Sequence, residues 1–584
     1  MSLISSCHRE PADQKDSVTA VMDNIVTRLY RNLSPEQLDT IGHTYILSQL
    51  TAREKQVLAT KYWYFNVNIP VTVSLMRHTG QQCIPFWLGT GGFEKTGMEV
   101  RNRYNTYEVW QKDFDAGLVE LGINGFDKHR PVYFICIGPQ DSGGRLEITG
   151  IFPEGQHIDT MKTGAFTYHD WDELILEEVP DELAGQVLFT TIRGRAREAH
   201  LTGAFRTTAY PSGVKPDQIL LTWSSDPSSS LDVQWRTGTA VPDGNVKYWL
   251  IGSHDTLIEA ADMQPMEDRL LQNDRYVHRY TARLDHLKPG AAYGYQVGSE
   301  NGWWSDIASF NMAAESAESF SFIWFGDTHK SPKWGELIQA SYRKYPDVAF
   351  YSIAGDMVST GLYRDEWDQL FHFSSPVLNY KPLMPVPGNH DSQDGLGAWM
   401  YRDLFSLPEN GPEAVWPELT YSFTYWNALF LMLDVTSPIE EQSSWIEQQL
   451  QGSEAVWKFA MFHFPPYNYE EDYSDIRREW CILFDKYHVD MVMSGHTHYY
   501  MRSKPINNEQ VVDHPSRGTI YIISVGIPGN HENIPDEYYA EITDGSGWVY
   551  QHIEIDGNEL IYKSLDLDGN IKDTFIIEKH QQHE

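Results

Sequence analysis

The sequence predicts a multidomain chain in which a C-terminal α/β sandwich follows an all-β module and a further helical plus β-rich N-terminal region. Three observations carry this. In the C-terminal half, the apolar runs Phe320 to Phe325, Val348 to Ala354, Leu383 to Val386, Phe459 to Phe462 and Val489 to Met493 alternate with helix-like stretches. Residues 214 to about 313 show period-two alternation broken by turn signals. The chain opens on an apolar stripe with a 3.6-residue period and then changes to strand-like runs.

Residues 1–60 form the expected helical segment. Ser17 precedes Val18, Val21, Met22, Ile25, Val26, Leu29 and Tyr30, one face of a helix. Ser34-Pro35-Glu36-Gln37 and Thr51-Ala52-Arg53-Glu54 have the shape of capping boxes, so two more helices are expected. From about Tyr62 the pattern turns to strands such as Val71 to Leu75, Val132 to Ile137 and Gln186 to Ile192, which assigns residues 61–206 to a β-rich domain of no family legible in the sequence. Its Trp and Tyr residues are expected in the core.

Residues 207–314 read as the all-β module. Leu231, Val233 and Trp235, then Tyr293, Tyr295 and Val297, alternate as half-buried strands do, and Leu287-Lys288-Pro289-Gly290 supplies a turn. Packing against the following domain is its expected role. The segment Met312 to Ser319 links it to the last domain, 318–578.

In that last domain every apolar run stops at residues that bind metals: Asp327 and His329, Asp356, Asn389 to Asp391, His463, then His496 and His498. Helix-like stretches at Trp334 to Tyr342, Glu366 to Phe371, Ser444 to Gln451 and Ile476 to Tyr487 predict a largely parallel sheet covered on both faces. In open α/β sheets ligands gather beyond the carboxyl ends of the strands, so residues distant in sequence meet in one crevice. Carboxylate, imidazole and amide donors without thiolate suit zinc, manganese or iron. Asp327, His329, Asp356, Asn389, His463, His496 and His498 are too many ligands for one catalytic ion that must keep a position open, which points to two.

Taken singly, a Gly-Asp after a strand is more often a turn, and a lone histidine a satisfied polar group. Taken in order, Gly326-Asp327-Thr328-His329, Gly355-Asp356, Gly388-Asn389-His390-Asp391, His463 and Gly495-His496-Thr497-His498, spread over about 170 residues, resemble the calcineurin-like metallophosphoesterase family. The resemblance implies a metal-dependent hydrolase of phosphoric esters with two divalent ions. Asp327, His329 and His498 would hold one, Asn389, His463 and His496 the other, with Asp356 bridging. It further implies a hydroxide held between the metals that attacks phosphorus, His390 as general acid for the leaving oxygen, and Asp391 orienting the His390 imidazole. A phosphomonoesterase is the first expectation. A phosphodiesterase on the same site is the alternative, and a non-catalytic cell-surface binding protein is disfavoured by the complete ligand set.

The chain also resembles the purple acid phosphatase branch, through Tyr421-Ser422-Phe423 leading to Leu433-Asp434, through Tyr500 and Arg502 after the last ligand, and through Gly518 to Tyr521. Residues 207–314 are similar to the fibronectin type III-like domain that precedes those catalytic domains. Two positions depart from the pattern: His329 stands where purple enzymes have glycine, and Ser359 where they have the tyrosine ligand. A colourless relative is expected. A second Gly-Asn-His, at Gly529 to His531, duplicates a filled slot and is expected in a loop near the mouth of the site.

The formal net charge of −36 argues against a nucleic-acid scaffold, which needs clustered Lys and Arg. Two divalent ions reverse the field locally, so a small phosphate ester remains a fitting substrate. Ile4-Ser5-Ser6-Cys7 looks like the end of a bacterial lipoprotein signal, with export to the periplasm or cell envelope and membrane attachment through a lipidated Cys7 as the expectation.

Overall fold

The computed structural model describes residues 17–579 apart from 142, 154–155, 169–173, 192–193, 301, 317–318, 394–395 and 527–533. Cys7 and the Gly529 to His531 motif lie outside the described residues. The chain divides into two compact units, Met1–Arg206 together with Asp394–Leu396, and Thr207–Gln393 together with Gly397–Glu584. Among the described residues no helix is long and apolar enough to cross a membrane.

In the first unit the opening stripe is the Val18–Asn32 helix, whose buried face is Val18, Val21, Met22, Ile25, Val26 and Leu29. Ser17 caps it by accepting the Ala20 amide at 3.1 Å. Both capping boxes form, Ser34 with Gln37 and Thr51 with Glu54, and a short helix, His43–Gln49, lies between them. The strands that follow make a seven-stranded and a three-stranded antiparallel sheet around Trp63, Phe65, Tyr133 and Phe189. Trp63, Trp87, Tyr62, Tyr107, Tyr133 and Tyr168 are buried in this core, as expected, whereas Tyr104 is exposed.

The second unit starts with two four-stranded antiparallel sheets that enclose Leu221, Val233, Trp235, Tyr280, Tyr295 and Phe310. The half-buried reading of the Leu231–Gly238 strand was incomplete. Asp232, Gln234 and Arg236, the alternate side chains, are also buried. Gln234 donates to the Leu404 carbonyl, and Arg236 Nη1 lies 2.7 Å from Asp368 Oδ1 on the Arg364–Ser374 helix. This face of the β module meets the α/β domain through charge, with the ions paired as burial requires.

The α/β domain differs from a single parallel sheet between helical layers. It has a five-stranded sheet, including Ser319–Phe325 and Tyr351–Ile353, and a seven-stranded sheet, including Trp457–Met461 and Met491–Ser494. Each is mixed. Ser319–Phe325 pairs in parallel with Tyr351–Ile353 and antiparallel with Val549–Asp556. Phe322 from one sheet packs edge-on against Phe430 and Phe459 of the other, with centroids 5.2 and 5.7 Å apart. Strands buried on both faces read alike whether a helix or a second sheet covers them, which is why the sequence misplaced the layers. Leu383 to Val386 makes only isolated bridges, Leu383 to Tyr351 and Val386 to Ala354.

Candidate metal centre

Four of the five metal-binding motifs follow the ends of strands and the remaining one, Asn389 to Asp391, follows the bridged Leu383 to Val386 run; backbone bonds then draw the loops together. Thr328 and His329 donate their amides to the Asp356 carbonyl at 3.1 and 2.9 Å, and Gly495 donates to that of His463 at 3.1 Å. The His390 amide reaches Asp356 Oδ1 at 2.8 Å, and the His496 amide reaches Asp327 Oδ1 at 2.7 Å. A Cβ at Gly388 would collide with the Asp356 carboxylate, and one at Gly495 with that of Asp327. The glycines beside the ligands are therefore required by close approach.

The donor atoms form one continuous run. His498 Nε2 is 2.9 Å from Asp327 Oδ2, which is 3.6 Å from His329 Nε2. That nitrogen is 3.6 Å from Asp356 Oδ2, which is 3.2 Å from His463 Nε2. His463 Nε2 is in turn 3.3 Å from His496 Nδ1. Three overlapping groups of possible ligands result: Asp327, His329 and His498; His329, Asp356 and His390; Asp356, His463 and His496. Asn389 adds an amide oxygen that is buried without a hydrogen-bond partner. A buried polar atom left in this state carries a cost that a cation would remove. The residues therefore fit two hard or borderline metal ions.

A backbone carbonyl fixes the tautomer of His463. His463 Nδ1 donates to the Ala354 carbonyl at 2.7 Å, which leaves Nε2 as the nitrogen facing Asp356. His329, Asp356, His496 and His498 all occupy left-handed backbone, with φ of 41°, 49°, 75° and 50°. Non-glycine residues adopt it at a cost of about 1–3 kcal/mol each and keep it where surrounding structure imposes it. Burial alone would raise the pKa of Asp327 and Asp356, yet both lie below the usual carboxylate range because His463 and neighbouring imidazoles outweigh it. Conversely, burial disfavours charge on His463, but Asp356 and Asp327 push it up to about 10. The pocket calls for positive charge at the positions where metal would sit.

One expected role is overturned. Asp391 does not orient the His390 imidazole: His390 Nδ1 donates to the Ser359 carbonyl at 2.8 Å. The Asp391 carboxylate instead accepts three backbone amides, those of Met357, Val358 and Gly388, at 3.2, 3.1 and 3.0 Å. It holds the loops of the second and third motifs together. An aspartate adjacent to a histidine in sequence suggests a dyad, but the turn at Gly388 directs its carboxylate into the loop. His390 Nε2 stands 3.9 Å from Asp356 Oδ2 with its side chain 39% exposed, at the rim of the cluster.

The sequence reading also missed Glu471. It lies in the loop after His463, where Asn468 Oδ1 accepts its amide at 2.7 Å and Asn468 Nδ2 donates to its carbonyl at 3.0 Å. Its Oε2 is 3.3 Å from His496 Nε2 and is also bonded by the Tyr473 hydroxyl. Phe464 and Tyr473 stack beside His496, with the Phe464 ring 4.6 Å from the imidazole. The Asn468-to-Glu471 spacing was the available signal.

Residues 320–500 match the calcineurin-like phosphoesterase family, and residues 216–312 match the purple acid phosphatase N-terminal domain. An uncharacterized protein of Mycobacterium tuberculosis is 26% identical over 340 residues, covering 50% of this chain and 64% of that relative. Probable purple acid phosphatase 20 of Arabidopsis thaliana is 24% identical over 382 residues, 61% of this chain and 83% of the relative. A purple acid phosphatase from yellow lupin (Lupinus luteus) seeds shares the fold with a TM-score of 0.56 and 14% identity, over 90% of this chain and 94% of that one. That cover extends into the first two hundred residues, for which the sequence alone suggested no family. The chain carries a calcineurin-like phosphoesterase domain joined to a purple acid phosphatase N-terminal domain.

Proposed function

We propose that this protein hydrolyses phosphoric monoesters at the Asp327 to His498 cluster. The observation that carries the reading is the unbroken run of donor atoms from His498 through Asp327, His329, Asp356 and His463 to His496. Asp327, His329 and His498 would hold one ion and Asn389, His463 and His496 the other, with Asp356 between them. When bound, two divalent ions would supply a water of lowered pKa as nucleophile and neutralise charge on the phosphoryl oxygens. Zinc, manganese and iron all suit the donor set.

His390 is the proposed proton donor to the leaving oxygen. Its Nδ1–H is committed to Ser359, so a proton delivered to the ester must leave from Nε2, the nitrogen on the cluster side. Burial lowers its pKa, against the opposing pull of the nearby Asp356. At Ser359 the backbone carbonyl, bonded to His390, is the group turned to the site, and no phenolate is supplied there. The loaded protein is expected to be colourless.

The test is hydrolysis of a nitrophenyl phosphate monoester beside its bis ester, on protein stripped and reloaded with zinc, manganese or ferrous iron, with Asn389→Ala as blank. Faster monoester turnover supports the proposal. Preference for the bis ester makes the protein a phosphodiesterase on the same centre, and no turnover above the blank with any metal overturns the hydrolase reading for these esters.

A further inference from the structure

We infer that Glu366 is a positioning residue for His390, acting through the peptide unit between Ser359 and Thr360; the inference rests on the acid role proposed for His390. Glu366 Oε2 accepts the amides of Ser359 and Thr360, both at 2.9 Å, while Oε1 lies 2.6 Å from Lys330 Nζ. Its side chain is 7% exposed. The preceding amides, Met357 and Val358, go to Asp391, and the next, Gly361, goes to the His390 carbonyl at 2.7 Å. Five successive amides are thus donated to fixed acceptors.

The consequence follows from peptide geometry. A trans peptide is planar, and its N–H and C=O point in opposite directions. By holding the Thr360 N–H, Glu366 sets the plane in which the Ser359 carbonyl points the other way, and that carbonyl takes the Nδ1–H of His390. The bond fixes both the ring orientation and the tautomer, leaving Nε2 to face the cluster. Without Glu366 the Ser359–Thr360 unit could rotate, and the His390 Nδ1–H would lose the Ser359 carbonyl as its acceptor.

Glu366 is itself anchored. It belongs to the Arg364–Ser374 helix, whose Arg364 and Asp368 are both about 1% exposed. Arg364 Nη1 is 3.1 Å from Asp274 Oδ2 and Asp368 Oδ1 is 2.7 Å from Arg236 Nη1, both partners on the preceding β module. These buried pairs resist rolling of the helix, so the module that carries no catalytic group supports the acid through Glu366.

The test uses the metal-loaded full chain and two monoesters, an aryl phosphate with a good leaving group and an alkyl phosphate with a poor one. Glu366→Ala is expected to slow the alkyl ester about tenfold or more beyond its effect on the aryl ester, with metal content unchanged. Glu366→Gln, whose amide oxygen can still accept both backbone amides, should restore most of the rate. In a His390→Ala background, Glu366→Ala should add no further discrimination between the esters. Equal losses on both esters, loss of metal, or full additivity with His390→Ala would overturn the inference. Should Glu366→Ala not fold, Glu366→Asp, one methylene short, must show the same bias toward loss on the alkyl ester. If His390→Ala itself slows both esters equally, the acid role fails first and this inference fails with it, whereas a selective His390→Ala beside an unselective Glu366→Ala sinks this inference alone.

Discussion

Glu471 places its carboxylate 3.3 Å from Nε2 of His496, so that a loop leaving one candidate ligand, His463, returns to brace another. A carboxylate on the far nitrogen of a ligating imidazole fixes its tautomer and raises its basicity. Here it leaves Nδ1, 3.3 Å from His463 Nε2, as the nitrogen facing the cluster. Glu471→Ala should therefore weaken the second metal about 10–100-fold in a chelator competition while sparing the first. Glu471→Gln should lose less, and unchanged affinity in both variants would remove the bracing role.

His463 is fully buried, with one nitrogen on the Ala354 carbonyl and the other 3.2 Å from Asp356. His463→Ala deletes a ligand and leaves Asp356 without its nearest imidazole. Metal stoichiometry should fall from two toward one, and ester hydrolysis should fall about a hundredfold or more. Metal analysis and kinetics on the same preparation check both, and retention of two ions would contradict the ligand assignment.

Asp391 gives a contrasting prediction, because its role is to hold backbone. Asp391→Ala leaves the amides of Met357, Val358 and Gly388 buried without acceptors, at about 1–3 kcal/mol each. Thermal denaturation should show a clear drop in Tm, smaller for Asp391→Asn, which keeps one acceptor oxygen. A variant that melted normally but lost only poor-leaving-group turnover would restore the dyad with His390.

Glu418 supplies a pH signature remote from the metals. Its side chain is 13% exposed, and burial pushes its pKa up to about 8, against the pull of the Leu407 amide and Arg402. Below the ordinary value of 4.5 the folded and unfolded chains are both protonated, and the group has no effect. Between 4.5 and about 8 the folded chain holds a proton that the unfolded chain has lost, so stability falls as pH rises through that window. Glu418→Gln should match the parent near pH 4 and melt higher than it near pH 8, as melts across that range would show. A difference independent of pH would place the effect elsewhere.

The buried Arg236–Asp368 pair predicts that the β module is structural for its neighbour. Arg236→Ala removes the nearer of the two guanidiniums paired with buried Asp368 and leaves only Arg364 at 3.8 Å, at up to about 3–5 kcal/mol. The expected result is a lower Tm, with Arg236→Met and Asp368→Leu together milder than Arg236→Ala alone. Equal melting of Arg236→Ala and the parent would show the interface to be dispensable.

The metal set was legible because its chemistry is carried by residue type. Asp327, His329, Asp356, Asn389, His463, His496 and His498 follow apolar runs, and Asp327, Asp356, Asn389 and His496 each directly follow a glycine, both of which can be read along the chain. The opening helix and both capping boxes were equally local, since a stripe and a cap need only neighbours within a few residues. What covers the Phe320 to Phe325 strand was not local: apolar faces look the same beneath helix or sheet, and only Phe430 and Phe459 arriving from the other sheet decided it. The same holds for hydrogen-bond partners. Asp391 adjoins His390 in sequence yet serves three amides, while Glu366, on a helix, and Glu471, on a loop, meet their partners only through the tertiary fold. Residue types determined which atoms can bind metal or move a proton; the tertiary structure alone decided which carboxylate meets which donor, because that depends on distances set by the whole packed domain.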